Sequence, residues 1–295
     1  MLFVDQSALN DKPFVHEEAT HLFHTEFYDV LNEEQKLCYN QLFGLMVCEQ
    51  FFVFEHNIME IVCGRILKKA KHEKNEPIIK DIAFLMKDEN RHAKTFSDHL
   101  SKFLKVEFDP KVRCFTKTNF FMNHLLKIIS SSMLDIRSYI WYVLAIEEHS
   151  VSFGEMYTEN KETQLGKIDK TFRDIQLKHK DEEVHHLPLE GRLIEYWYDG
   201  RSEWRKKTDM KFLNYWLNLM RTPKIAGIAV IDQLLAIYPS LSSHSKVLKN
   251  AILNIRMNHS FQSHFIGPED TPFLWNNFKK RTECKTIMSA QGQYA

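Results

Sequence analysis

Two stretches of this chain set a glutamate and a histidine three residues apart, Glu89 with His92 and Glu183 with His186, and His179 precedes the second pair by one helical turn. On a helix, positions i, i+3, i+4 and i+7 share one face, so the donor atoms of such side chains can converge. Ile78, Ile82, Leu85, Met86, Ala93, Phe96, Leu100 and Phe103 mark an apolar stripe that passes through Glu89 and His92. Ile168, Phe172 and Ile175 begin another, continued by His179, Glu183 and His186. A carboxylate aimed at an apolar interior is costly unless it meets a strong partner, and a divalent metal is one. Asp88 and Arg91 fall off the first stripe and read as solvated neighbours; Glu182 and His185 follow Asp174, Lys178 and Asp181 around the outer face of the second.

A ferritin-like dinuclear site takes two Glu-x-x-His helices and one inward glutamate from each of two further helices. Upstream, Leu45, Cys48, Phe51, Phe52, Met59, Val62 and Ile66 surround the line through Glu55, whereas Glu49 and Glu60 share a more polar line with His56, Asn57 and Gly64. Counting levels across the turn near 73–76 favours Glu60 instead, with Glu55 offset by about one helical turn. In the third helix Ile140, Trp141, Leu144 and Val151 border both Glu147 and Glu148, so periodicity does not separate them. The 35-residue spacing from Glu148 to Glu183, close to the 34 from Glu55 to Glu89, selects Glu148.

The elements that must position these groups are helices. Nine glycines and eight prolines in 295 residues, with long runs of 3.6-residue apolar periodicity, predict helices joined by short loops and no strands. The core helices are expected over about 32–71, 77–105, 132–159 and 162–187, the last ended by Pro188, with an apolar segment near 119–129. Accessory helices follow at about 202–220, 223–238 and 244–259, then an irregular tail from Gly267. The expectation is one all-α domain over 1–295, a ferritin-like four-helix bundle core at about 32–190 with added C-terminal helices at about 200–260.

Lysine plus arginine and aspartate plus glutamate both number 39, so no global field draws in nucleic acid or an anionic membrane. Five cysteines without a CxxC pair argue against a disulfide framework or structural zinc and for the reducing cytoplasm. No signal peptide or membrane span is expected, since no run of about 18 apolar residues occurs. Of the remaining histidines, His99 reads as a partly exposed helix-end residue, and His16, His21 and His24 as surface residues. Phe51, Phe52, Trp141 and Tyr142 read as core packing.

The chain resembles the ferritin-like di-iron N-oxygenases typified by p-aminobenzoate N-oxygenase. The resemblance spans about residues 40–190 and lies in DENRH (Asp88 to His92), the paired Glu147 and Glu148, and HKDEEVHH (His179 to His186), where His179 takes the place of that family's third histidine. It implies that Glu55, Glu89, His92, Glu148, His179, Glu183 and His186 bind two iron ions. It also implies O2 as co-substrate and oxygenation of an arylamine nitrogen through a peroxo di-iron(III) intermediate, with an external electron donor. The ligand types admit manganese in one position, and a homodimer is admitted. Two other functions use the same donors: fatty-chain desaturation or hydroxylation, and ferritin-like iron storage or peroxide detoxification. The hundred residues beyond the core suit a small-molecule enzyme better than a storage cage.

Overall fold

The computed structural model describes residues 2–105, 113–117, 137–263 and 265–292. The segment expected near 119–129 and the beginning of the third core helix, 132–136, lie outside the described residues. The protein is mostly helical, 74% helix and 2% strand.

The first core helix begins where Asn32 accepts a hydrogen bond from the Gln35 amide (2.9 Å) and its own amide donates to Gln35 Oε1 (3.0 Å), a reciprocal cap. It runs as α1 (Glu33–Val53), widens into a π-helical segment (Phe54–Met59), and resumes as α2 (Glu60–Glu73). Lys74, in the left-handed conformation at φ 55°, ends α2, and Asn75 with Pro77 starts α3 (Glu76–Leu100). α3 stops short of the expected Lys105, because the following residues turn and Leu104 bridges to Val4.

The second pair of core helices is α4 (Tyr139–Glu155) and α5 (Lys170–Trp197). Between them the expected helical start at Glu162 is replaced by a two-stranded hairpin, β1 (Glu162–Thr163) and β2 (Gly166–Lys167), turning at Gly166 with φ 106°. Two residues per strand are too few to register as alternation in a sequence. Asp169 then caps α5 through the Phe172 amide. Pro188 does not end this helix. Proline at 188 cannot donate to the Val184 carbonyl, but the helix continues past it, with Leu193, Ile194 and Tyr198 beyond it fully buried.

The remaining helices are α6 (Glu203–Met220), α7 (Ala226–Ile237), α8 (Ser245–Asn254), α9 (His259–Ser263), α10 (Pro272–Lys279) and α11 (Lys285–Gly292). The tail beyond Gly267 is therefore helical rather than irregular. Its two helices are eight residues each, too short to show a periodic pattern.

Two apolar clusters divide the interior. α1 enters from the first, with Leu42, Cys48 and Phe52, and the rod leaves into the second with Met59 at the end of the π-helical segment and Cys63 and Ile66 on α2. α5 crosses in the same sense, from Phe172 to Leu193, whereas α3 runs oppositely, from Ile82 and Leu85 to Phe96 and Leu100. α4 starts in the second cluster at Trp141 and Leu144, and Tyr157 beyond its end joins the first. All five cysteines are buried and free. The run Glu33–Glu73 has an apolar window of membrane-like hydropathy, but 83% of it is buried inside the protein, as a core helix would be.

Candidate metal centre

At the level where the four helical rods pass from one apolar cluster to the other, polar side chains replace apolar ones. Glu55 comes from the π-helical segment, Glu89 and His92 from α3, Glu147 from α4, and His179, Glu183 and His186 from α5; each is at most 4% exposed. Their donor atoms fall into two groups of four, Glu55, His92, His179 and Glu183, and Glu89, Glu147, Glu183 and His186, with the atoms of each group within 4.8 Å of one another. Glu183 belongs to both. Its Oε1 lies 2.9 Å from His92 Nδ1 and 2.9 Å from His179 Nε2, and its Oε2 lies 2.8 Å from His186 Nδ1. Glu55 Oε1 is 2.9 Å from His179 Nε2, and Glu89 Oε1 is 3.0 Å from His186 Nδ1.

Several of these short separations are not hydrogen bonds. His92 Nδ1, Glu183 Oε1, both oxygens of Glu89, Glu55 Oε2 and Glu147 Oε1 are buried without a hydrogen-bond partner. Their lone pairs aim into shared space rather than at each other, as donors around a cation do, and buried polar atoms in folded proteins are otherwise nearly always bonded. Electrostatics agree. Burial, followed by the neighbouring Glu89 and Glu183, pushes the Glu55 carboxyl well above its usual range, and burial with Glu183 and Glu89 does the same to Glu147. Glu89 is raised to about 7 by burial and Glu183. Burial alone would raise Glu183 as well, but Glu147, His179 and His186 hold it well down. Burial works against a charge on His186, yet Glu183 and Glu89 push its imidazolium up to about 11. A set of carboxylates this crowded is short of positive charge, and two cations would supply it. Four glutamates and three imidazoles fit that role, so each group could hold a metal ion.

Glu148, expected as a ligand, points elsewhere. Its carboxylate accepts the amides of Phe273 (2.6 Å) and Leu274 (2.7 Å) in the first turn of α10, and Glu147 stands in the cluster in its place. Glu55 joins the cluster as expected. Glu49 does not lie on a polar line: it is 0% exposed and accepts the amides of Cys114, Phe115 and Thr116 and the Thr116 hydroxyl.

The residues read as solvated form a second layer. Glu182 Oε2 meets His92 Nε2 at 2.6 Å, buried Asp88 faces His186 Nε2 at 3.4 Å, and Arg91 pairs with both carboxylates at 2.9 and 3.0 Å. His92 and His186 thus each have an outer carboxylate that fixes the ring and leaves the inner nitrogen free for a metal. Their spacing, one residue before Glu89 and one before Glu183, was the available signal. His179 is held instead by aromatic edges, Phe51 at 5.1 Å and Phe96 at 5.0 Å between centroids.

His16, His21 and His99 are buried rather than surface residues, His99 among Phe14, Phe103 and Phe172 and His21 between Phe43 and Phe261. Phe51, Phe52 and Trp141 are core, as expected. No family model, curated protein or solved structure matches the chain. Its chemistry has to be read from its own side chains.

Proposed function

We propose that this chain is a ferritin-like, four-helix di-iron oxygenase that uses O2 to oxygenate a small organic substrate, an arylamine nitrogen before a C–H bond. The observation that carries the proposal is the pair of four-donor groups sharing Glu183, drawn from four helical rods and enriched to three imidazoles. Mixed hard oxygen and imidazole donors suit iron or manganese better than zinc. Bound there, two irons would supply a redox pair able to bind and reduce O2, recharged by an external electron donor.

The protein's own contribution is positional. Glu183 holds both positions at one fixed spacing, while Glu55 and Glu147 close them from opposite helix pairs. Glu182 and Asp88 keep the inner nitrogens of His92 and His186 available. Phe51 and Phe96 pack against His179 and hold its ring in place. The protein would act in the reducing cytoplasm, on a diffusible substrate and without nucleic acid.

The test is elemental analysis of the purified protein, followed by reduction, mixing with O2 and mass spectrometry of p-aminobenzoate incubated with it. About two irons per chain and hydroxylamine or nitro products are expected. One zinc per chain, or iron without any O2 consumption, would refute the oxygenase reading. Ferric mineral formation without substrate oxidation would point to iron storage instead.

A further inference from the structure

Glu190 lies on α5 four residues beyond His186 and seven beyond Glu183, so it shares the face that carries both. It is 0% exposed, and neither of its carboxyl oxygens has a hydrogen-bond partner. Among the described residues no hydrogen bond or ion pair ties it to the metal cluster. Yet it acts electrostatically on groups from every core rod: Cys63 on α2, Glu89 on α3, Glu147 and Glu148 on α4, and Glu183 and His186 on α5. The neighbouring Gly191 packs under Phe273 of α10, where an added Cβ would come within 3.2 Å of the ring, so the C-terminal helices close this end of the bundle.

An ionised carboxylate in such a place would cost several kcal/mol, with nothing bonded to it and mostly negative neighbours. Burial first, with Glu183, Glu89 and Glu148 and against the pull of His186, drives the carboxyl well above the usual range. Such surroundings favour the neutral acid, and neither carboxyl oxygen meets a hydrogen-bond partner that would compete for its proton.

We propose that Glu190 is the proton donor to the metal centre, an un-ionised carboxylic acid held about one helical turn past His186, a span that a single bridging water closes. The proposal rests on the oxygenase reading above. Converting an amine N–H to N–OH with O2 consumes two electrons and two protons and releases one water. The external donor supplies the electrons. The O–H bond of Glu190 breaks to give one of the protons to the oxygen atom that leaves as water, and solvent returns a proton to the carboxylate before the next turnover.

The metal-loaded protein and its Glu190→Gln variant test this. Infrared difference spectra at neutral pH should show the carbonyl stretch of a protonated carboxylic acid, shifted in D2O and missing from the variant. Metal content should be equal in both. Reoxidation of the reduced protein by O2 should slow by about 10²-fold in the variant, within the range that loss of a positioned acid produces. Loss of metal would make Glu190 a ligand and overturn the proposal, as would an unchanged rate. Should the variant fail to fold, the wild-type infrared band decides, since its absence shows the carboxyl ionised and ends the proposal. A wild-type protein that shows the band but never consumes O2 refutes the oxygenase reading itself, and the donor role falls with it.

Discussion

Replacing Glu147 and Glu148 one at a time should give opposite results, although the two residues are adjacent on α4. Glu148→Ala removes two short bonds, at 2.6 and 2.7 Å, from a carboxylate to the first amides of α10. At about 1.5 kcal/mol for each bond to a charged acceptor, the loss is about 3 kcal/mol. A 295-residue chain has an unfolding entropy of about 0.6 kcal/mol/K, so the midpoint should fall by about 5 °C. Metal content should not change. Glu147→Ala removes one of the four donors at one position. Loss of a supporting partner alone weakens a metal site by about 10–100-fold, and loss of a donor by more. Elemental analysis after desalting should therefore fall from about two metals per chain to about one. Calorimetry and metal analysis on the same samples read both effects. Metal loss in Glu148→Ala with full retention in Glu147→Ala would refute the assignment of the two carboxylates.

Glu183→Ala should empty both positions, because both groups of donors include it, while Glu55→Ala should lower metal content to about one. Glu49→Ala should leave metal content unchanged but destabilise the protein by about 3 kcal/mol or more, read by denaturant unfolding, since four donors from 114–116 lose their acceptor. Burial lowers His99 from 6.5 to about 4 and His21 to about 3, so the folded state refuses a proton that the unfolded chain accepts. That stability is fully present above about pH 6.5 and is lost as pH falls towards 4, by about 3 kcal/mol for His99 alone. Unfolding curves across this range should flatten by that amount in His99→Phe, and an unchanged slope would exclude a neutral buried His99.

The helical class, and the coming together of six of the seven residues expected to meet, could be read from the order of residue types. Glu89, His92, His179, Glu183 and His186 sit on stripes whose other members are buried, apart from half-buried Met86 and Ile175, and a stripe marks the inward face whatever lies opposite. Glu147 and Glu148 were not separable in this way, since the same apolar residues border both. What separates them is the amide pair at the start of α10, in a part of the chain too short in its elements to look helical. Asp88 and Glu182 were missed for a related reason: a carboxylate near a helix face reads as solvated until the neighbouring helix is known to cover it. Glu190 lay beyond Pro188, where the helix was expected to end. Pro188 misled because the residues beyond it, Leu193, Ile194 and Tyr198, are buried and hold the helix together past the lost hydrogen bond.

The π-helical segment Phe54–Met59 has one consequence for how this chain can vary in length. A π-helical turn holds about one residue more than an α-helical turn, with no distinctive residue type to announce it. Deleting a single residue there would restore α-helical spacing without turning the flanks, because six residues at about 4.4 per turn and five at 3.6 both sweep roughly 500°. Phe51 and Phe52 on one side and Met59 and Cys63 on the other would keep their faces, while the side chains within the segment, Glu55 among them, would shift against their partners. A chain shortened in this way keeps its packing and loses the first rod's place in the cluster. Length can therefore change here at the expense of the site rather than of the fold.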